Sequence, residues 1–526
     1  MTDDFTPWPP EFAQRYRARG YWRDRTLGTL LDDGVRRWPT RTAVVDGDRR
    51  WTYAELNEKA IRLAAGLRAR GIGHGDRVLV HLPNLAEFLS LMFALFRNGA
   101  IPVLALPPHR RTEIVHLARL ATPVAYVVAS EFRDLAHAVP EIEHVFVVGE
   151  PGEFTALDDV ADEGDPGPGP GPDDVAVLLL SGGTTGLPKL IPRTHNDYEF
   201  NLRASAKLCG FDSDTRYLAA LPMAHNFPLA CPGVLGTLSA GGTVVLCADA
   251  DPRTAFPLIE AERVTATALV PPLVLVWLDA AEESEEATAD ISSLNLLQAG
   301  GARLKAEAAR RVGPVLDCVL QQVYGMAEGL LNYTRFRDPE AIVNETQGRP
   351  LCMDDEVRIV TADDEPVPAG ASGELLVRGP YTIRGYYRAA EHNAAAFTAD
   401  GFYRSGDLVR RLPSGELVVE GRVKDVINRG GDKIPVEEVE NLLLCHPAVH
   451  DVAVVGIPDD VMGERSCAFV IARGTSPTRK ELLAHLREHG VAAFKLPDKV
   501  RVLKSFPRTA VGKVDRESLS TLEIRS

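Results

Sequence analysis

The chain is poor in the features that mark several protein classes. Seven cysteines among 526 residues, an odd number with no close pair, supply neither a disulfide framework nor a CxxC metal or redox motif. They suit reduced thiols in a cytoplasm. No apolar run approaches the ~20 residues of a membrane helix; "VAVLLL" (175–180) is typical of the longest. No basic start followed by an apolar core opens the chain, so no signal peptide is expected and no membrane is implied. A basic excess is also missing. The formal net charge of -15 argues against broad nucleic-acid binding, which needs a positive footprint. Tandem repeats are absent.

What is present is globular. The chain is 45% hydrophobic and 25% charged, and at ~100–200 residues per domain it suggests two to four domains. "FTPWPPEFAQRYRARGYW", rich in aromatics and arginine, reads as an arm lying on the main body. Helical and strand patterns then alternate: "TLGTLLDDGVRRW", a hairpin into a helix at "TAVVDGDRRWTYAEL", the strand "DRVLVHLPN", the helix "LAEFLSLMFALFRNGA" and the strand "IPVLAL". This alternation predicts layered α/β structure with mostly parallel sheets. "DEGDPGPGPGPDD" (162–174) cannot pack, and because the rhythm resumes unchanged after it, it reads as a surface loop within one domain. After Pro350 short strands predominate, and from about Gly421 a small α/β unit follows.

Several stretches carry more glycine and hydroxyl than packing needs. "LLLSGGTTGLPKL" (178–190) turns a buried strand into a loop of Ser181, Gly182, Gly183, Thr184, Thr185, Gly186 and Lys189. Glycines allow close backbone approach, N–H groups can form an anion nest, and hydroxyls and a lysine complete a phosphate-holding chemistry. The order is not that of the Walker loop. "QAGGARL" (298–304) and "VYGMAEG" (323–329) follow apolar strands, where ligands sit in α/β proteins. "YRSGDL" offers Asp407 after a tight turn, a carboxylate able to take both ribose hydroxyls. "GRVKDVINRGGDKI" is a glycine-bounded run of charge, and "PRTAVGKVDR" presents Lys513 on a glycine turn. Each stretch has a plainer reading: Glu328 as a helix-start acid, Asp407 as a turn cap, the charge run as a solvated hairpin, Lys513 as a surface lysine. Their order along one chain favours the functional reading.

Taken in order, "SGGTTGLPK", "YGMAE", "YRSGD", "GRVKDVINRGGDKI" and "PRTAVGKVDR" resemble the motifs of the adenylate-forming superfamily, over residues 26–516. The N-terminal stretch, "PMAHNFPLACPG" and "QQVYGMAEGLLNYTR" more narrowly resemble stand-alone aryl-acid-AMP ligases of siderophore pathways. The resemblance implies a large N-terminal domain (1–421) of layered α/β subdomains plus a β-rich subdomain. A small mobile α+β domain (422–526) would follow. It implies that an acid reacts with ATP to give an acyl-adenylate and pyrophosphate, and that a thiol then displaces AMP.

Under this resemblance the 181–189 loop would hold the β- and γ-phosphates, and Glu328 would help hold Mg²⁺. Gly300, Gly301 and Ala302 would line the adenine site with Tyr324 against the ring. Val323, Gly325, Met326 and Ala327 would continue that wall. Asp407 would bind the ribose, with Arg422 beside it. Lys513 would bridge the carboxylate and the α-phosphate region, and Lys424 would be the hinge of the small domain. His225 would be the aromatic gate of the acid pocket, with Asn226, Phe227, Cys231, Leu331, Gly300, Val323 and Gly325 around the acid.

Asn226 is neutral where amino-acid-activating relatives keep an aspartate, which suits a phenolic hydroxyl. Cys231 stands where dihydroxybenzoate enzymes typically carry serine. A thiol is a weak donor and suits the bare edge of salicylate. Leu331 is bulkier than the valine usual in those enzymes. The expected partner is an aryl carrier protein with a phosphopantetheine arm, or else coenzyme A. 2,3-Dihydroxybenzoate activation and aryl-CoA ligation are the alternatives. A silent scaffold is disfavoured by Lys513, Asp407, Glu328 and the intact loop.

Overall fold

The computed structural model describes residues 4–181, 188–283, 289–423, 426–429, 432–459, 462–489, 491–509 and 512–524. The described residues build four sheets. The first runs 155–156, 144–148, 125–129, 77–81, 101–104, 175–180 and 190–194 in spatial order. All its neighbours are parallel except the last pair, Val175–Leu180 with Leu190–Thr194. The second runs 349–350, 331–333, 319–325, 296–300, 266–269, 216–219, 243–246, 42–46 and 49–52. Its middle is parallel and its edges are antiparallel hairpins.

The parallel strands are apolar on both faces, as burial on both sides requires. Ala125–Ala129, Ile101–Leu104 and Thr243–Leu246 are buried at every position. Helices cover both faces. Ala86–Asn98 is nearly all buried and ends at Gly99, whose φ of 77° a glycine adopts without strain. Tyr53–Ala69 starts on a capping box of Thr52 and Glu55, and His195–Leu208 on one of Thr194 and Asp197. The 162–174 stretch is indeed a loop inside this body, since Val175–Leu180 after it pairs in the same sheet as the strands before it.

The aromatic N-terminal arm lies on the main body as expected. Trp22 donates its indole N–H to the Pro380 carbonyl at 2.9 Å, and Tyr16 is fully buried. A third, antiparallel sheet of 356–360, 373–378, 403–411 and 417–422 forms the β-rich part. The C-terminal part is a sheet built around the hairpin of Val449–Asp459 and Gly463–Ala472, with Val426–Arg429, Asp432–Pro435 and Lys499–Leu503 joining it. Helices Val436–Leu444 and Arg479–Glu488 pack on it through Val439, Leu443, Leu482 and Leu486. Among the described residues no helix is long and apolar enough to cross a membrane.

Candidate active site

The predicted residues converge where strands of the two large sheets end. Val175–Leu180 delivers Ser181, Leu296–Gly300 delivers Gly301, and Val319–Gly325 delivers the turn carrying Glu328. This is the carboxyl edge of α/β sheets, where ligands bind. Gly182, Gly183, Thr184, Thr185 and Gly186 lie outside the described residues, as does Lys424. The flanks of the loop are pinned to each other. Ser181 N–H donates to the Lys189 carbonyl at 3.0 Å, and Lys189 N–H donates to Ser181 Oγ at 3.0 Å. Lys189 holds its ammonium 5.5 Å from the centre of the Tyr386 ring.

Two of the plainer readings are corrected. Glu328 does not start a helix. It lies in the turn between antiparallel strands Val319–Gly325 and Leu331–Tyr333, closed by Gly329 N–H on the Met326 carbonyl at 3.1 Å. Asp407 does not cap a turn but sits inside strand Tyr403–Arg411, after Gly406 with its φ of 70°. Both carboxylates are buried and partnered. Tyr386 donates its hydroxyl to Glu328 Oε1 at 2.7 Å and lies 2.9 Å from the Tyr403 hydroxyl. Asp407 accepts from Tyr324 at 2.7 Å and from Arg422 Nε at 2.7 Å. These bonds fix the carboxylates before any ligand arrives, and preorganisation of this kind is what electrostatic catalysis needs. Glu328, which shares Tyr386 with Lys189, offers hard carboxylate oxygens of the kind that fit a Mg²⁺.

Lys513 reaches this centre from the C-terminal part. Gly512 before it has φ 80°, and Thr509 N–H donates to the Lys513 carbonyl at 2.7 Å. Its side chain crosses Gly301, where a Cβ would lie 3.4 Å from Lys513 Cε. Gly301 has φ 82°, so a larger residue there would be strained as well as crowded. Burial first, and then the Arg422 charge, push the ammonium pKa down to about 8, against the attraction of Asp407 and Glu328. His225 is pushed down to about 3 by burial and by Lys513, so its ring is neutral.

The acid-side residues also come together. His225 caps helix Asn226–Ala230, its Nδ1 accepting from Phe227 N–H at 3.3 Å. The Phe227 ring lies on bare backbone at Gly300, where a Cβ would meet Phe227 Cζ at 2.7 Å. Gly300 pairs with Val323 in the sheet. Leu331 packs over Gly325 in the same way, at 2.5 Å from a Cβ built there. Cys231 is buried, and burial raises its thiol to about 12, so it is a neutral S–H. Asn226 Nδ2 lies 3.5 Å from its sulfur. Ala302 is exposed at the rim, while Met326 and Ala327 form the Glu328 turn.

Four residues of this neighbourhood escaped the sequence reading. His109 lines a small cavity with Leu106, Ser181, Ala224, His225 and Asn226. Its Nδ1 accepts from Leu106 N–H at 3.1 Å, which puts the proton of the neutral ring on Nε2. Arg193 is fully buried, pairs with Asp197 at 2.6 Å, and donates to the Ala327 carbonyl at 3.0 Å. Tyr198 donates to Asn226 Oδ1 at 2.8 Å. Tyr386 holds Glu328. Arg193 lies near the end of strand Leu190–Thr194 while Asp197 and Tyr198 lie in the following helix, so their pairing arises only at the strand-to-helix junction.

This fold and site define an enzyme class: a large α/β body holds two partnered carboxylates at its sheet ends, and a small C-terminal part lends a half-buried lysine. The chain belongs to the adenylate-forming AMP-binding enzymes. Residues 31–387 match the AMP-binding enzyme family, and residues 438–513 match the AMP-binding enzyme C-terminal domain. It is 54% identical over 528 residues to the 2,3-dihydroxybenzoate-AMP ligase of Bacillus subtilis, covering 99% of this chain and 97% of the relative. It is 50% identical over 532 residues to the salicyl-AMP ligase / salicyl-S-ArCP synthetase of Mycobacterium tuberculosis, covering 98% and 94%. Among solved structures, apo MbtA of Mycobacterium smegmatis matches with a TM-score of 0.78 at 50% identity, covering 99% of both chains.

Proposed function

We propose that this protein activates an aryl acid with ATP, releasing pyrophosphate, and passes the acyl group to the phosphopantetheine thiol of a separate aryl carrier protein. The preferred acid is salicylate, and the wider setting is siderophore or related nonribosomal peptide synthesis. The relatives named above support the aryl-acid class. The observation that carries the choice of acid is the neutral, buried wall of Asn226 and Cys231, beside a small cavity whose described lining includes no carboxylate to receive an α-amine. A thiol bonds a 3-hydroxyl poorly, and an underpaired buried hydroxyl costs about 1–3 kcal/mol.

In this reading the acid carboxylate attacks the α-phosphorus of ATP. The Lys513 ammonium lies between the two anions and reduces their repulsion. Asp407, held by Tyr324 and Arg422, receives the ribose hydroxyls. Glu328, held by Tyr386, would hold Mg²⁺, which would supply charge neutralisation for the leaving pyrophosphate. The loop ending in Lys189 holds the outer phosphates, and Lys424 serves as the hinge by which the 422–526 domain turns away before the thiol enters.

Acid-dependent ATP–pyrophosphate exchange tests the reading. Salicylate should give the fastest exchange, ahead of 2,3-dihydroxybenzoate and benzoate. Faster exchange with 2,3-dihydroxybenzoate would reverse the Cys231 argument, and no exchange with any aryl acid would reject the substrate class.

A further inference from the structure

The acid pocket takes its polarity from a residue behind it. Tyr198 is fully buried, and burial raises its pKa well above 10, so its hydroxyl remains a donor. The acceptor it finds is Asn226 Oδ1 at 2.8 Å. The opposite end of the same carboxamide, Nδ2, lies 3.5 Å from Cys231 Sγ. The Cys231 S–H points at the Asn226 backbone carbonyl, also at 3.5 Å, so the sulfur has a lone pair left to face the amide N–H. Reversing the amide would set its N–H₂ against Tyr198 and take the acceptor from the tyrosine proton.

Tyr198 itself cannot swing. The Arg193 guanidinium lies 4.7 Å from its ring centre, and that guanidinium is fixed by Asp197 and by the Ala327 carbonyl. Asp197 precedes Tyr198 on helix His195–Leu208, so one buried ion pair braces the ring from its own helix.

We infer that Tyr198 is a specificity-determining positioning residue: it locks the Asn226 carboxamide with N–H₂ toward the acid, so the site takes ortho-oxygen benzoates and rejects ortho-amines. The inference rests on the aryl-acid reading above. In an ortho-hydroxybenzoate the hydroxyl proton is bonded internally to the carboxylate, which leaves the phenol oxygen as an acceptor for Asn226. In an ortho-aminobenzoate one N–H is bonded internally and the second faces outward, while the nitrogen lone pair is delocalised into the ring. A donor then meets a donor, and a site built for one hydrogen-bond polarity rejects the other strongly.

The test is Tyr198→Phe in the full-length chain, with pyrophosphate exchange measured for salicylate, anthranilate and benzoate. Phenylalanine keeps the ring and its contact with Arg193 but releases the amide. The salicylate-to-anthranilate ratio of kcat/KM should fall about tenfold, with benzoate, which has no ortho group, changed less than twofold. An unchanged ratio overturns the inference, as does an equal loss on all three acids, which a packing defect would give. A wild-type enzyme that uses benzoate as well as salicylate overturns the salicylate reading and this inference together. A wild type that prefers salicylate and a variant that keeps the full preference overturn the inference alone.

Discussion

At the scale of single residues, the lowered pKa of Lys513 makes a pH prediction with a definite sign. With the ammonium at about 8, the cation is present below that pH and lost above it. If its charge holds two anions together, kcat/KM for exchange falls as pH rises through about 8, because that parameter reports the free enzyme. Lys513→Ala should lose about 10²–10³ in exchange rate, the usual cost of removing one preorganised charge partner, with an unchanged thermal transition. An alkaline limb that persists unaltered in Lys513→Ala would assign the titration to another group. Cys231→Ser bears on the acid. It should raise 2,3-dihydroxybenzoate relative to salicylate by about tenfold, since a hydroxyl pairs a 3-hydroxyl that a thiol leaves underpaired. No change in that ratio would leave Cys231 as packing.

At the scale of elements, strand Leu331–Tyr333 is tied in place by a buried relay. Leu331 N–H donates to the Tyr381 hydroxyl at 3.2 Å, which donates to Asp355 Oδ2 at 2.6 Å. Asp355 Oδ1 is buried without a hydrogen-bond partner among the described residues, and burial raises this carboxyl to about 7. The native state therefore keeps a proton that the unfolded chain sheds near pH 4. Stability is lost as pH rises from about 4 to 7, and the loss is complete above 7. Asp355→Asn removes that titration, so its melting temperature should gain on the wild type by roughly 2–4 °C across this window. Parallel melting curves for the two proteins from pH 4 to 7 would refute it.

The strands themselves were legible in the sequence, because apolar runs bounded by glycine and proline carry their own signal. The turn around Glu328 and the strand position of Asp407 were not. Those depend on pairing with Leu331–Tyr333 and with Arg422, residues up to 15 positions away. Tyr198 and Arg193 were hidden for a related reason. Their role exists only once helix His195–Leu208 lies against Asn226 and Ala327, and no local pattern announces that contact.

At the scale of the whole molecule, polar contacts between the C-terminal part and the body among the described residues include a cluster at Lys305 and His450. Lys305 lies 3.8 Å from Asp451 Oδ1 and donates to the Val452 carbonyl at 3.4 Å, and His450 lies 3.5 Å from Asp279. Lys513 crosses Gly301 beside them. Polar interfaces between domains permit motion, and the proposed two-step chemistry calls for one, in which Lys513 leaves the site before the thiol enters. The contacts at Lys305 belong to the arrangement with Lys513 in the site. Weakening them should then cost the first half-reaction and spare the second. Lys305→Glu sets two carboxylates against each other at about 1 kcal/mol, which is roughly a fivefold shift away from this arrangement. Single-turnover measurements can separate the steps: adenylate formation from acid and ATP should slow about fivefold, while transfer from preformed aryl-adenylate to the thiol should hold its rate or rise. Equal slowing of both steps would remove Lys305 from the gating contact and leave the small part anchored by Lys513 and its neighbours at the site.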